Sequence, residues 1–164
     1  MTKPQTVTLD SEYRSRQADH HSLRLWLRLL TCTNLIETHL RNRLREEFDI
    51  TLPRFDLMAQ LDRHPEGLTM GQLTKLMMVS GGNTTGICNQ LEKEGMIERE
   101  TSATDRRSFV VKLSAQGKRH FKKLSRAHEE WVIELFSGLS DDGHGALMDE
   151  LKQLKKSASN FRAQ

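Results

Sequence analysis

The sequence predicts a mostly α-helical chain carrying one small β-hairpin, with long helices at both ends. Three observations carry that expectation. Apolar residues recur at steps of three and four over most of the 164 residues, the spacing of one helical face. Alternation at a step of two marks only the segments 96–100 and 108–113. Pro53, Pro65, Gly67, Gly95, Gly138 and Ser140 stand where the helical runs break.

Each element follows in order. Residues 1–19 read as a polar, loosely ordered arm without a signal-peptide core. From 20 to 48 one long helix is expected, with Trp26, Leu30, Leu40, Leu44 and Phe48 tracking one side. Pro53 opens a second helix over 54–63, and Pro65-Glu66-Gly67 breaks it. Thr69 is a good N-cap, with Gln72 three residues on as a capping box requires. Leu73, Leu76 and Met77 then share one face. Ser80 is expected to cap the next helix at Gly81-Gly82. That helix runs over 83–91 and stops near Gly95. Thr84, Ile87, Cys88 and Leu91 make its inner face, while Asn83, Gly86, Asn89 and Gln90 face outward. Two strands follow, the second with Phe109, Val111 and Leu113 on one side. Ser114 caps a helix reaching about Phe136. Ser140 caps the last, where Leu147, Leu151, Leu154, Ala158 and Phe161 form a seam suited to packing against another helix.

The net charge of +3 and pI near 9.0 permit nucleic acid without requiring it. Residues 51–115 hold equal numbers of basic and acidic side chains, so any basic footprint is local. It would comprise Lys75, Arg99, Arg106, Arg107 and Lys112, joined by Lys118 and Arg119. Cys32 and Cys88 are far apart and in no metal-type spacing, which points to a reducing, cytoplasmic compartment. The seven histidines include no pair four residues apart, and no metal site is expected. The apolar run 23–30 is interrupted by Arg24 and Arg28 and is too short to cross a bilayer, so no membrane partner is expected. No nucleophile motif, phosphate loop or dinucleotide fingerprint occurs, so the chain is read as a non-enzyme without a cofactor.

The outward face of the helix over 83–91 is small, polar and hydrogen-bond competent. Asn and Gln read adenine edges in a major groove, and Ser or Thr contact bases or phosphates. Glycines at a helix start let a phosphate approach free backbone N–H groups. The candidate DNA contacts are therefore Ser80, Gly82, Asn83, Thr85, Gly86, Asn89 and Gln90 on the helix. Ser102, Asp105, Arg106 and Arg107 join them from the loop between the strands. Arginine at a loop tip suits the negative potential of a narrow minor groove.

The run Leu91-Glu92-Lys93-Glu94-Gly95-Met96-Ile97-Glu98-Arg99 resembles the MarR family of bacterial transcription regulators. Asp105-Arg106-Arg107 and Leu113-Ser114-Ala115-Gln116-Gly117 extend the resemblance. It covers the winged helix–turn–helix closely and the flanking helices in length and order. It implies homodimers that bind double-stranded palindromic operators, usually as repressors released by a small molecule or an oxidant. By resemblance Arg107 enters the minor groove and Asp105 orients the loop. Many relatives carry a basic residue at the positions of Gly86 or Gln90, and this chain has none between Ser80 and Glu92.

The expected plan is then an arm at 1–19, an N-terminal dimerisation helix at 20–50, the winged helix–turn–helix DNA-binding domain at 51–115, and C-terminal dimerisation helices at 116–164. The resemblance also implies an effector pocket where the first, second and fifth helices meet. Trp26, Leu30, Phe55, Met58 and Phe121 are candidate lining residues. Arg28 or His39 would pair with an anionic effector, such as an aromatic carboxylate or its CoA thioester. Two alternatives stand beside this one: an oxidant sensor using Cys32, and a protein-interaction module on the same fold that does not bind DNA.

Overall fold

The structure is a computed structural model that describes residues 21–77, 83–101 and 109–161. Three expected features lie outside the described residues: the N-terminal arm, the turn holding Ser80 and Gly82, and the loop holding Ser102, Asp105, Arg106 and Arg107. The described elements are α1 (His21–Phe48), α2 (Leu52–Arg63), α3 (Met70–Leu76), α4 (Thr84–Lys93), β1 (Ile97–Thr101), β2 (Phe109–Leu113), α5 (Ala115–Phe136) and α6 (Asp141–Asn160). The chain divides into two compact units, 1–128 and 129–164.

In the first unit α2 is the hub, packing against α1, α3, α4 and β2. Leu44, Leu57, Met58, Leu73, Leu91 and Leu124 are fully enclosed, each burial contributing about 2 kcal/mol of transfer free energy. Phe55 of α2 and Phe121 of α5 meet with ring centroids 5.5 Å apart. Pro53, in the first turn of α2, removes a donor that would have no helical partner there.

The capping box at α3 forms as expected. Thr69 accepts from the Gln72 backbone N–H, and the Gln72 side chain accepts from the Thr69 N–H at 2.9 Å. Gly95, at φ +71°, takes the left-handed turn that ends α4 and starts the hairpin. β1 and β2 pair antiparallel, from Ile97 opposite Leu113 to Thr101 opposite Phe109. Leu68 adds a bridge to Val111, tying the start of α3 to the hairpin. Gly117 lets the first turn of α5 lie on the chain leading into β1. A Cβ there would stand 1.9 Å from the Met96 carbonyl oxygen.

Three expectations need correction. The described α4 is capped by Asn83, not Ser80: the Asn83 side chain accepts from the Gly86 N–H at 2.8 Å. Asparagine and serine are equally good caps, and the one adjoining the helical dihedrals takes the role. The first strand is Ile97–Thr101, displaced by one residue from 96–100. Phe109 shares a side with Val111 and Leu113, yet it is 60% exposed while they are buried. Its place opposite Thr101, at the far end of the hairpin, puts it beyond the reach of the core.

The long α1 is covered over only part of its length. Leu40 and Leu44 are buried, whereas Leu23, Leu25, Trp26, Leu30 and Leu35 are exposed. In the second unit Ser140 caps α6 by accepting from the Gly143 N–H at 3.1 Å. Phe136 and His144 sit near one another, with centroids 6.3 Å apart. No residue of α6 is buried. The seam of Leu147, Leu151, Leu154 and Phe161 is open along its length.

Candidate nucleic-acid interface

The amphipathic division of α4 builds the candidate interface. Thr84, Cys88 and Leu91 are buried against the first unit's core, and Ile87 is half-buried. That fixes the rotation of the helix and turns Asn83, Thr85, Asn89 and Gln90 outward, all exposed. Ten residues at 1.5 Å rise make a rod of about 15 Å, which a major groove admits.

The outward side chains are not equivalent. Asn83 is occupied in capping, folded over Gly86 so closely that a Cβ on Gly86 would fall 2.3 Å from Asn83 Nδ2. Asn89 is engaged from outside its own helix: Arg99 Nη2 of β1 donates to Asn89 Oδ1 at 2.6 Å. The Arg99 Nε also lies 3.3 Å from Glu92 Oε2. Thr85 and Gln90 are exposed with their side chains toward solvent. Nearby, Lys112 of β2 pairs with Glu100 of β1 at 2.6 Å, so the paired part of the hairpin is closer to neutral than its lysine suggests. Arg54 pairs with Glu94, the C-cap of α4. Sequence reasoning counted Arg99 among the local basic residues but did not connect it to α4.

Cys88 packs inside, and burial raises its thiol pKa to about 11, against a lowering by Arg99 and a smaller raising by Glu92. It is therefore a core residue and not a reactive thiol. Cys32 is exposed on α1.

Comparison with known proteins agrees with this geometry. Residues 48–108 match the MarR family. A crystal structure of a MarR family transcriptional regulator from Silicibacter pomeroyi is 34% identical, with a TM-score of 0.74. The match covers 87% of this chain and 99% of that one. The chain belongs to the MarR family. The HTH-type transcriptional regulator YfiV of Bacillus subtilis is 28% identical over 116 residues, covering 71% of this chain and 72% of that protein. The transcriptional activatory protein BadR of Rhodopseudomonas palustris is 27% identical over 151 residues, 85% of each. This MarR-type chain is thus a DNA-binding transcriptional regulator and not an enzyme. Membership implies DNA binding, typically as a dimer. The described helices include none long and apolar enough to cross a membrane.

The residues expected around an effector fall into two groups on the MarR fold. Phe55, Met58 and Phe121 are interior, and Phe55 stacks on His128 at 4.5 Å. Burial lowers the His128 pKa, keeping the imidazole neutral against the ring. Trp26, Arg28, Leu30 and His39 are exposed along α1. Arg28 lines a groove of about 360 Å³ with His21, Arg24 and Leu25. A second cleft, of about 460 Å³, lies between the end of α1 and the start of α2, with Arg41, Arg45, Glu46 and Pro53 on its walls.

Proposed function

We propose that the protein binds an inverted-repeat operator as a homodimer, represses transcription there, and is released by a small organic effector. The observation that carries the reading is α4, a helix held by its buried face with Thr85, Asn89 and Gln90 exposed together beside a β-hairpin. Such a rod suits a major groove, and the loop bearing Arg106 and Arg107 would follow the adjoining minor groove. Two-fold pairing supports the operator symmetry. It would cover the open seam of α6 and the uncovered apolar half of α1, and closed two-fold dimers are the commonest solution to such faces.

The effector is assigned to the class of aromatic carboxylates or their CoA thioesters. The basic groove of His21, Arg24 and Arg28 supports an anionic group, to which His39 on the same helix is a second candidate. Release would follow from tighter binding to a conformation whose two recognition helices no longer match successive grooves.

Footprinting on the protein's own upstream DNA tests the reading. Protection of two half-sites about one helical turn apart is expected, with affinity falling steeply as salt rises. Arg107→Ala should lower the slope of log affinity against log salt by about one unit. Unchanged slope and affinity would remove the wing from the mechanism, and salt-insensitive binding would overturn the reading itself. A metabolite screen for release from that DNA then names the effector.

A further inference from the structure

Arg99 stands on β1, but its guanidinium reaches across to α4 and grips two side chains one helical turn apart. Nη2 donates to Asn89 Oδ1 at 2.6 Å, and Nε lies 3.3 Å from Glu92 Oε2. A guanidinium has donors and no acceptor. The atom of Asn89 that faces it must therefore be the carbonyl oxygen, since the opposite orientation would set N–H against N–H. Glu92 pairs with the same guanidinium through Nε, so Arg99 is held at two of its nitrogens. The Asn89 NH₂ group is consequently the part turned away from Arg99.

That orientation has a consequence for base reading. Asparagine reads adenine bidentately by accepting from N6 and donating to N7. Here one of the two lone pairs of that oxygen is already taken by a charge-assisted donor, the stronger kind of hydrogen bond, which weakens the oxygen as an acceptor for a base. What it offers most readily is donors: the Asn89 N–H groups, beside an Arg99 side chain that is still 37% exposed. Donors match guanine, whose major-groove edge carries two acceptors, N7 and O6. Residues 83–91 hold no basic side chain, so Arg99 brings a positive charge to a stretch of α4 that has none of its own before Lys93 in the last turn.

We infer that Arg99 is a positioning residue for sequence specificity: by holding Asn89 Oδ1 it makes Asn89 read guanine in place of adenine. The inference rests on the proposed entry of α4 into a major groove. Arg99 acts through Asn89, and Glu92 sets the guanidinium.

Selection of bound duplexes from a randomised double-stranded DNA library, with the full-length chain, tests it. The unsubstituted protein should prefer guanine over adenine at one position of each half-site by about tenfold. Asn89→Ala should erase that preference at that position alone. Arg99→Ala should free Oδ1 and turn the preference there toward adenine, while the other positions keep theirs. Arg99→Lys, which keeps a donor to Oδ1, should retain guanine. Thermal melting of each variant checks folding, which exposed side chains on α4 and β1 should leave intact. A loss of affinity spread evenly over all sequences in Arg99→Ala, with base preferences unchanged, would overturn the inference. So would a guanine preference that survives Asn89→Ala. Absence of salt-sensitive duplex binding by the unsubstituted chain would instead strike the operator reading, and it is seen before any substitution is made.

Discussion

The core of the unit at 1–128 and the last helix, α6, of the unit at 129–164 treat their apolar residues in opposite ways. In the first, leucines from α1, α2, α3, α4 and α5 close over one another until Leu44, Leu57, Leu73, Leu91 and Leu124 have no solvent contact. In the second, α6 repeats leucine at heptad-like steps and buries nothing. Leu147 and Leu151 are each 38% exposed and Phe161 81%. The contrast is repeated inside α1, whose Leu40 and Leu44 are covered while Trp26 is 56% exposed. The described residues of one copy thus close the core of the first unit and leave the apolar residues of α6 and of the N-terminal half of α1 exposed. The lesson is a division of labour. On the proposed reading, the groove-facing surface rests on its own unit's core, whereas its spacing from a second such surface would be set by pairing of the exposed terminal helices.

The sharpest way to break this contrast is to charge the seam. Leu151→Glu combined with Leu154→Glu should abolish the dimer at micromolar concentration, because burying unpaired carboxylates costs several kcal/mol. Light scattering reads the mass, and circular dichroism should show helix content retained, since both positions are exposed within one chain. A dimer that persists would move the interface off α6. The next effect in size lies in the other unit. Leu91→Ala should cost about 2–5 kcal/mol by transfer loss and cavity, lowering the unfolding midpoint while leaving the association of folded chains intact. If both substitutions act alike on mass and on stability, the two regions are not separable and the contrast fails.

Much of this was legible because it is local. The capping box from Thr69 to Gln72 spans three residues, and sequence spacing alone specifies it. The same holds for the Ser114 cap, whose hydroxyl accepts from the Gly117 N–H at 2.9 Å, and for the buried and outward faces of α4. Other features depend on distances that sequence does not contain. Periodicity shows that α6 and α1 each have an apolar side, but not which surface covers it. Ser80 and Asn83 are both sound caps, and only the backbone path chooses. Phe109 alternates with core residues, and only the register shows that it lies beyond them. The grip of Arg99 on Asn89, ten positions away, exists because the turn at Gly95 folds β1 back beside α4. The effector residues divide for a related reason. Phe55, Met58 and Phe121 are apolar because they fill the first unit's interior, while Trp26 and Leu30 lie on the uncovered half of α1.

The smallest effect sits where the covered part of α1 begins. Asp56 of α2 has its carboxyl pKa raised from 3.8 to about 6, chiefly by burial, then by the Glu37 carboxylate of α1, against a lowering by Arg63. Between about pH 4 and 6 the native protein thus holds a proton that the unfolded chain has released. Stability must then fall as pH rises through that window and level off above it. Because Asp56 is only half-buried, solvent screening reduces the effect to about 1 kcal/mol. Asp56→Asn, which carries no charge at any pH, should flatten the stability profile across the window and raise the neutral-pH midpoint slightly. The size of the slope also reports on the contrast between the units. If a second copy covers the neighbouring face of α1, burial at Asp56 deepens, and the slope should be steeper for the dimer than for the Leu151→Glu, Leu154→Glu monomer. Equal slopes in the two would mean that the cover over α1 stops short of Glu37.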